Sequence, residues 1–422
     1  MTTQTLDRSA TATATDGPSP VTPVVTGLGV TAPNGLGTES WWAATLRGES
    51  GIRPVTRFDA GQYPAKLAGE VPGFDPAEHV SSRLLPQTDH MTRLALAAAA
   101  EALADAGIDA AELPDFSAGV VTAASAGGFE FGQRELQALW SKGGHHVSAY
   151  QSFAWFYAVN TGQISIRHGL RGPSGVLVTE QAGGLDAVAQ ARRQLRKGVP
   201  VLLTGGVDSS LCPWGWAAHL AGGELSTVED AARAYLPFSA DACGHVAGEG
   251  GALLVLEDAA AARARGATGY GTVAGYAATF DPPRGKGAPR LDAAAELALA
   301  DAGLAAADVD VVFADAAGRR DADRAEAEAL AALFGGRGVP VTAPKTMTGR
   351  LAAGGASLDL AAALLALRDQ VIPPTVNVAE PADDCPVDLV TGEARPAALR
   401  TALVLARGRG GFNAAMVVRA AG

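Results

Sequence analysis

Short apolar runs alternate with alanine- and leucine-rich stretches along this chain, and the alternation closes the same way twice. Residues 248–256 and 408–418 each join a glycine-rich turn to an apolar run. Strands alternating with helices predict an α/β sheet, and a plan repeated in one chain predicts a duplicated architecture. The first half, residues 21–260, reads as strands at 24–30, 118–124, 174–179, 199–205 and 250–257. Helices fall between them at 41–46, at 91–106 with Gly107 as a C-terminal stop, at 129–140, and from the turn at 180–184 to about 195. The second half, 261–422, repeats the plan more loosely. It has helices at 291–302, 322–334 and 355–368 and strands at 309–314, 401–406 and 414–419. The strand at 174–179 reads as buried, and 281–289 as a surface loop.

Composition narrows the function. Of 422 residues, 48% are apolar, enough for a large core, and the net charge of −11 argues against a general nucleic-acid binder. Cys212, Cys243 and Cys385 form no C-x-x-C pair, so neither a disulfide framework nor a metal site is expected. Apolar runs fall short of the ~18 residues of a membrane helix. Residues 1–20 are Thr-, Ala- and Ser-rich without an apolar signal core, and read as a flexible tail. A cytoplasmic protein with reduced thiols is expected. Gly27 and Gly29 only superficially suggest a dinucleotide loop, because no helix follows at once.

Three turns between apolar elements stand out as sites, since ligands in α/β folds collect at strand ends and helix N-termini. The first runs from Val178 to Ala187 and places Gln181 where a strand turns into a helix. A thiol there would be acidified and would have backbone N–H donors nearby, but an amide is not a nucleophile. The second runs from Val312 to Gly318, with Asp315, Asp323 and Glu326. The third runs from Lys345 to Gly355 and includes Arg350.

In order and approximate spacing these segments resemble the three active-site motifs of β-ketoacyl synthases. Gln181 falls where that family has its nucleophilic cysteine, and Asp315 where it has the histidine of His-Gly-Thr-Gly-Thr. Arg350 replaces the histidine of Lys-Ser-Met-x-Gly-His, while Glu326 and Lys345 keep the family's residues. Shorter matches at 25–29, 50–52, 246–250 and 410–413 extend the likeness over about residues 22–420. The Glu180–Ala187 string, with 150–156 and 160–169, resembles the chain length factors of bacterial type II polyketide synthases. The resemblance implies a thiolase-like five-layered αβαβα fold built from two duplicated halves. It also implies a heterodimer with an active ketosynthase alpha subunit, whose cysteine does the chemistry. The growing poly-β-ketone would lie in a tunnel at the interface, fed from the phosphopantetheine arm of an acyl carrier protein. No cofactor is expected on this chain itself.

Without a cysteine at position 181 and histidines at 315 and 350, covalent acyl transfer by this chain is excluded, and an ionised Asp315 would repel an enolate. Arg350 is expected to pair with Asp315 instead. By resemblance, the helix after the strand at 118–124 is the tunnel gate, with Phe129, Gly132 and Leu136 on one face. Gly132 and Leu136 are small beside the bulkier residues of octaketide-forming relatives. A deeper tunnel and a product longer than sixteen carbons, about twenty to twenty-four, are expected. The alternative function is priming, in which Gln181 holds a malonyl thioester during decarboxylation.

Overall fold

The computed structural model describes residues 21–283 and 286–421, so the tail expected at 1–20 lies outside the described residues. The first half contributes β1 (Pro23–Ala32), β2 (Ala118–Ala123), β3 (Ser174–Leu177), β4 (Val201–Asp208) and β5 (Gly250–Asp258). The second contributes β6 (Gly271–Phe280), β7 (Val311–Phe313), β8 (Pro340–Thr342), β9 (Asp388–Leu389), β10 (Thr401–Gly408) and β11 (Phe412–Ala420). The spatial order is β9-β8-β7-β10-β11-β6-β1-β5-β4-β2-β3. The halves join where Val24 and Val25 of β1 pair with Thr272 and Gly271 of β6.

The duplication is visible in the pairing. From the junction outward, each half runs through two antiparallel pairs and then two parallel ones, β1-β5-β4-β2-β3 and β6-β11-β10-β7-β8, and the second half adds β9 in parallel to β8. Even the irregularity repeats. The register shifts between Val25 and Gly27 in β1, and between Val273 and Gly275 in β6.

The principal helices are α1 (His90–Asp105), α2 (Phe129–Lys142), α3 (Val159–His168), α4 (Gly183–Leu195), α5 (Pro213–Ala221), α6 (Leu291–Ala302), α7 (Arg320–Phe334) and α8 (Gly355–Asp369). α1 covers the outer face of β1, β5 and β4, and α6 covers β6 and β11. α4 and α8 lie between the half-sheets and touch strands of both. The layers are therefore helix, sheet, helix, sheet, helix, which is the expected αβαβα arrangement. α8 is buried from Ala356 to Leu367, which explains why its sequence is apolar on every face.

The glycines of β1 are explained by this packing. A Cβ on Gly27 would overlap the Ala102 carbonyl oxygen of α1, and one on Gly29 the Ala98 carbonyl. In the second half a Cβ on Gly275 would overlap the Ala298 carbonyl of α6. Each outer helix thus presses its backbone onto a glycine of the junction strand.

The structure amends several expected elements. β4 begins and ends later than 199–205, and β7 is shorter than 309–314. β6, α3 and α5 had no strand or helix assigned. β6 is mostly Gly, Ala and Thr, so its apolar density is low although alternate residues are buried. The largest correction is β3, expected to be buried. It lies at the end of the sheet, half-exposed along its length, and the following Val178 is 45% exposed.

Gly27→Val and Gly275→Val are expected to destabilise the fold by about 1–3 kcal/mol each through overpacking. Urea unfolding midpoints at unchanged slope check this.

Candidate functional site

The three singled-out turns meet at one end of the sheet, and two of them are locked together by charge. Asp315 follows β7 and is buried. Its Oδ1 lies 3.0 Å from Arg350 Nη2, while Arg350 Nη1 donates to the Asp315 carbonyl at 2.8 Å. Arg407, at the end of β10, adds its backbone N–H to Oδ1 at 2.8 Å and its Nε to Oδ2 at 3.2 Å. The expected Asp315–Arg350 pair is present, and Arg407 is a partner that sequence reasoning missed. No motif flagged Arg407, because it is brought to Asp315 by the β7–β10 pairing.

The retained residues hold this turn from behind. Glu326 of α7 accepts the backbone N–H groups of Asp315 at 2.7 Å and Ala316 at 2.9 Å. Lys345 Nζ donates to the carbonyls of Ala314 and Asp315 and pairs with Asp359 of α8 at 2.7 Å. Asp323 accepts from the N–H groups of Phe238 and Gly318. Burial works against the charged form of Asp315, but Arg350 and Arg407 overcome it and hold the carboxyl well below its usual range. Asp323 lacks such close cations, and burial pushes it up to about 7. Asp315 is thus an ionised, fully engaged anion with no capacity for proton shuttling.

Gln181 does not join the other two positions in the open cavity. That cavity, of about 380 Å³, is lined by Asp315, Arg350, Arg407, Glu180 and Phe129 among others, but not by Gln181. The preceding Glu180 adopts a left-handed backbone (φ 53°). Gln181 itself is only 3% exposed and faces a small space of about 10 Å³ beside Arg350, Lys345, Gly355 and Leu358. Its Oε1 is buried without a hydrogen-bond partner.

Phe129, Gly132 and Leu136, expected to form a gate, all lie on α2. Its start is fixed by Asp89, whose carboxylate caps α1 through Met91 N–H and also accepts from Phe131 N–H, both at 2.8 Å. Phe129 packs on Trp214 of α5 with ring centroids 4.6 Å apart. Leu136 lines a separate groove of about 580 Å³ with Trp140 and Trp214. Gly132 is buried beside Trp155 and Trp214. Trp214 therefore touches the surroundings of all three positions, which the linear sequence did not indicate. Among the described residues no cluster of His, Cys, Asp and Glu has metal-binding geometry.

An αβαβα fold of two duplicated halves, with these three turns at one end of the sheet, is the architecture of condensing enzymes. The match to known proteins agrees. Residues 22–262 match the family model "Beta-ketoacyl synthase, N-terminal domain" and residues 270–379 its C-terminal counterpart. The chain belongs to the β-ketoacyl synthase family. Within it, the chain stands with the ketosynthase beta subunits, or chain length factors, of type II polyketide synthases. It is 61% identical to the tetracenomycin polyketide synthase ketoacyl synthase beta subunit of Streptomyces glaucescens, covering 95% of this chain and 98% of that one. It is 58% identical to the actinorhodin polyketide putative beta-ketoacyl synthase 2 of Streptomyces coelicolor, covering 94% and 98%. Among solved structures, the ishigamide ketosynthase/chain length factor superposes with a TM-score of 0.88 at 28% identity, covering 96% and 100%. The AntDE:AntF complex, a type II acyl-carrier protein with its ketosynthase bound to the hexaketide, gives 0.85 at 27%, covering 96% and 100%.

Arg350→Met is expected to cost about 3–5 kcal/mol at neutral pH, because it strips a buried carboxylate of its main partner. The depressed Asp315 contributes stability that is present above the ordinary carboxylate pKa of about 4 and is lost as pH falls below it. Asp315→Asn is expected to flatten that acid limb. Urea unfolding between pH 8 and pH 3 checks both.

Proposed function

We propose that this chain is the non-catalytic subunit of an aromatic polyketide synthase. It pairs with a ketosynthase alpha subunit, walls the tunnel that receives the growing poly-β-ketone, and sets its length. The observation that carries this reading is the free edge of β3. The carbonyls of Pro173 and Leu177 accept N–H groups from the β2 strand. By strand alternation the N–H and C=O groups of Ser174, Val176 and Val178 then point away from the sheet. An exposed, apolar strand edge is a template for another strand unless it is covered. Ile166, on α3 which packs against β3, is exposed, as are Phe153, Trp155 and Phe156 in the segment just before α3. Such an apolar surface suits a large, permanent interface.

The site chemistry supports a structural role. The nucleophile position is a buried amide, and the two histidine positions form an ion pair. Condensation then falls to the partner's cysteine, with substrate delivered on the phosphopantetheine arm of an acyl carrier protein. The AntDE:AntF complex offers a precedent for a carrier protein seated on a ketosynthase with its polyketide. The gate helix α2 begins beside the aromatic surface, since Gly128 N–H donates to the Trp155 carbonyl at 3.1 Å. The wall of a shared tunnel would be at this corner. Leu136, small and accessible, favours a product longer than sixteen carbons.

The priming alternative fits less well. A thioester carbonyl held by Gln181 would have to enter a small space of about 10 Å³, roughly that of one water. The two cations at the former histidine positions do not replace it, since Arg350 and Arg407 are committed to Asp315.

The deciding experiment is reconstitution of the cognate ketosynthase, carrier protein and malonyl donor with and without this chain. Long polyketides of one length are expected only in its presence; the same product from the ketosynthase alone would refute the proposal. Val176→Pro removes an outward N–H at an edge where proline is tolerated. It is expected to leave the circular dichroism unchanged and to abolish co-elution with the ketosynthase. Leu136→Phe is expected to shorten the product by at least one two-carbon unit, read by mass spectrometry.

A further inference from the structure

The glycine at position 132 removes a side chain from the gate helix, yet it leaves no hole. A Cβ built there would lie 2.5 Å from Trp155 Cδ1, 2.9 Å from Trp155 Nε1 and 3.1 Å from Trp214 Cζ3. The space belongs to two indoles carried by other segments.

We propose that the indole of Trp155, rather than the side chain at position 132, forms the stop for the growing chain at this level of the gate helix. Trp155 is thereby a specificity-determining residue for product length. This rests on the length-setting reading above.

Three observations carry the assignment. The backbone that bears Trp155 is clamped to the start of α2. Gly128 N–H donates to the Trp155 carbonyl, and a Cβ on Gly127 or Gly128 would overlap the carbonyl oxygens of Trp155 or Ala154. The segment that carries the indole is thus held against the start of α2. Trp214, whose ring also reaches the Gly132 site, is itself anchored: its backbone N–H donates to Gln133 Oε1 at 2.6 Å, and its ring packs on Phe129. Finally, Trp155 is 41% exposed, so the ring that covers Gly132 still presents a face outward. A rigid aromatic wall, held by the backbone of its own segment, defines a length more sharply than a flexible chain would. Gly132 is the condition for that wall, since any larger residue would displace the indole.

The test uses the reconstituted heterodimer with carrier protein, and product masses from Trp155→Ala, Trp155→Phe and Leu136→Phe. Co-elution with the ketosynthase confirms assembly of each. Trp155→Ala is expected to lengthen the main product by one or more two-carbon units, and Trp155→Phe to give a smaller shift in the same direction. If Trp155→Ala does not assemble, the Trp155→Phe shift decides. Unchanged products from the Trp155 variants, with a shortened product from Leu136→Phe, would overturn the role of Trp155 and leave the length-setting reading intact. Unchanged products from all three would overturn both.

Discussion

Three buried cations meet three buried carboxylates behind the site, and the turns of the second half depend on that meeting. Arg350, Arg407 and Lys345 face Asp315, Glu326 and Asp359. Removed from water, each of these charges would be costly alone; together, with hydrogen bonds to the backbone of residues 314–316, they are compensated. The network fastens the turn after β7 to α7, to α8 and to the end of β10. It occupies the positions where the family's two histidines act. What is chemistry in an active condensing enzyme is architecture here.

This substitution explains how the scaffold persists without the reaction. Glu326 and Lys345 serve the backbone of the Asp315 turn, so they are needed whether or not that turn carries a histidine. Gln181 buries its side chain against α8, where a nucleophile would have to face substrate. The open cavity remains, but its charged groups are spent on one another. On the proposed reading the working surface is the β3 edge and the start of α2, where Phe129 still lines the cavity and Gly128 is bonded to Trp155.

Much of the fold was legible in the sequence. The repeated closing turns announced the duplication, and the apolar runs placed most strands within a few residues. The misses have physical causes. β6 is poor in large apolar residues because one of its glycines must admit the backbone of α6. β3 looked buried because its Val-Leu-Val run is apolar, whereas in the single chain that run faces outward at the sheet edge. The Asp315–Arg350 pair was readable because both positions lie in motifs of fixed spacing. Arg407 was not, because ninety-two residues separate it from Asp315 and only strand pairing joins them.

The sequence by itself determined the family, the duplicated plan and the loss of the reactive groups, because these depend on residue identity at positions set by local turns. Only the tertiary structure decided that Gln181 turns away from the cavity, that Arg407 completes the charge network, and that the space beside Gly132 is filled by Trp155 and Trp214. Those outcomes depend on which side chains distant segments bring to the same few ångströms. A glycine read in a sequence marks a missing side chain; whether it marks a hole depends on its neighbours in space.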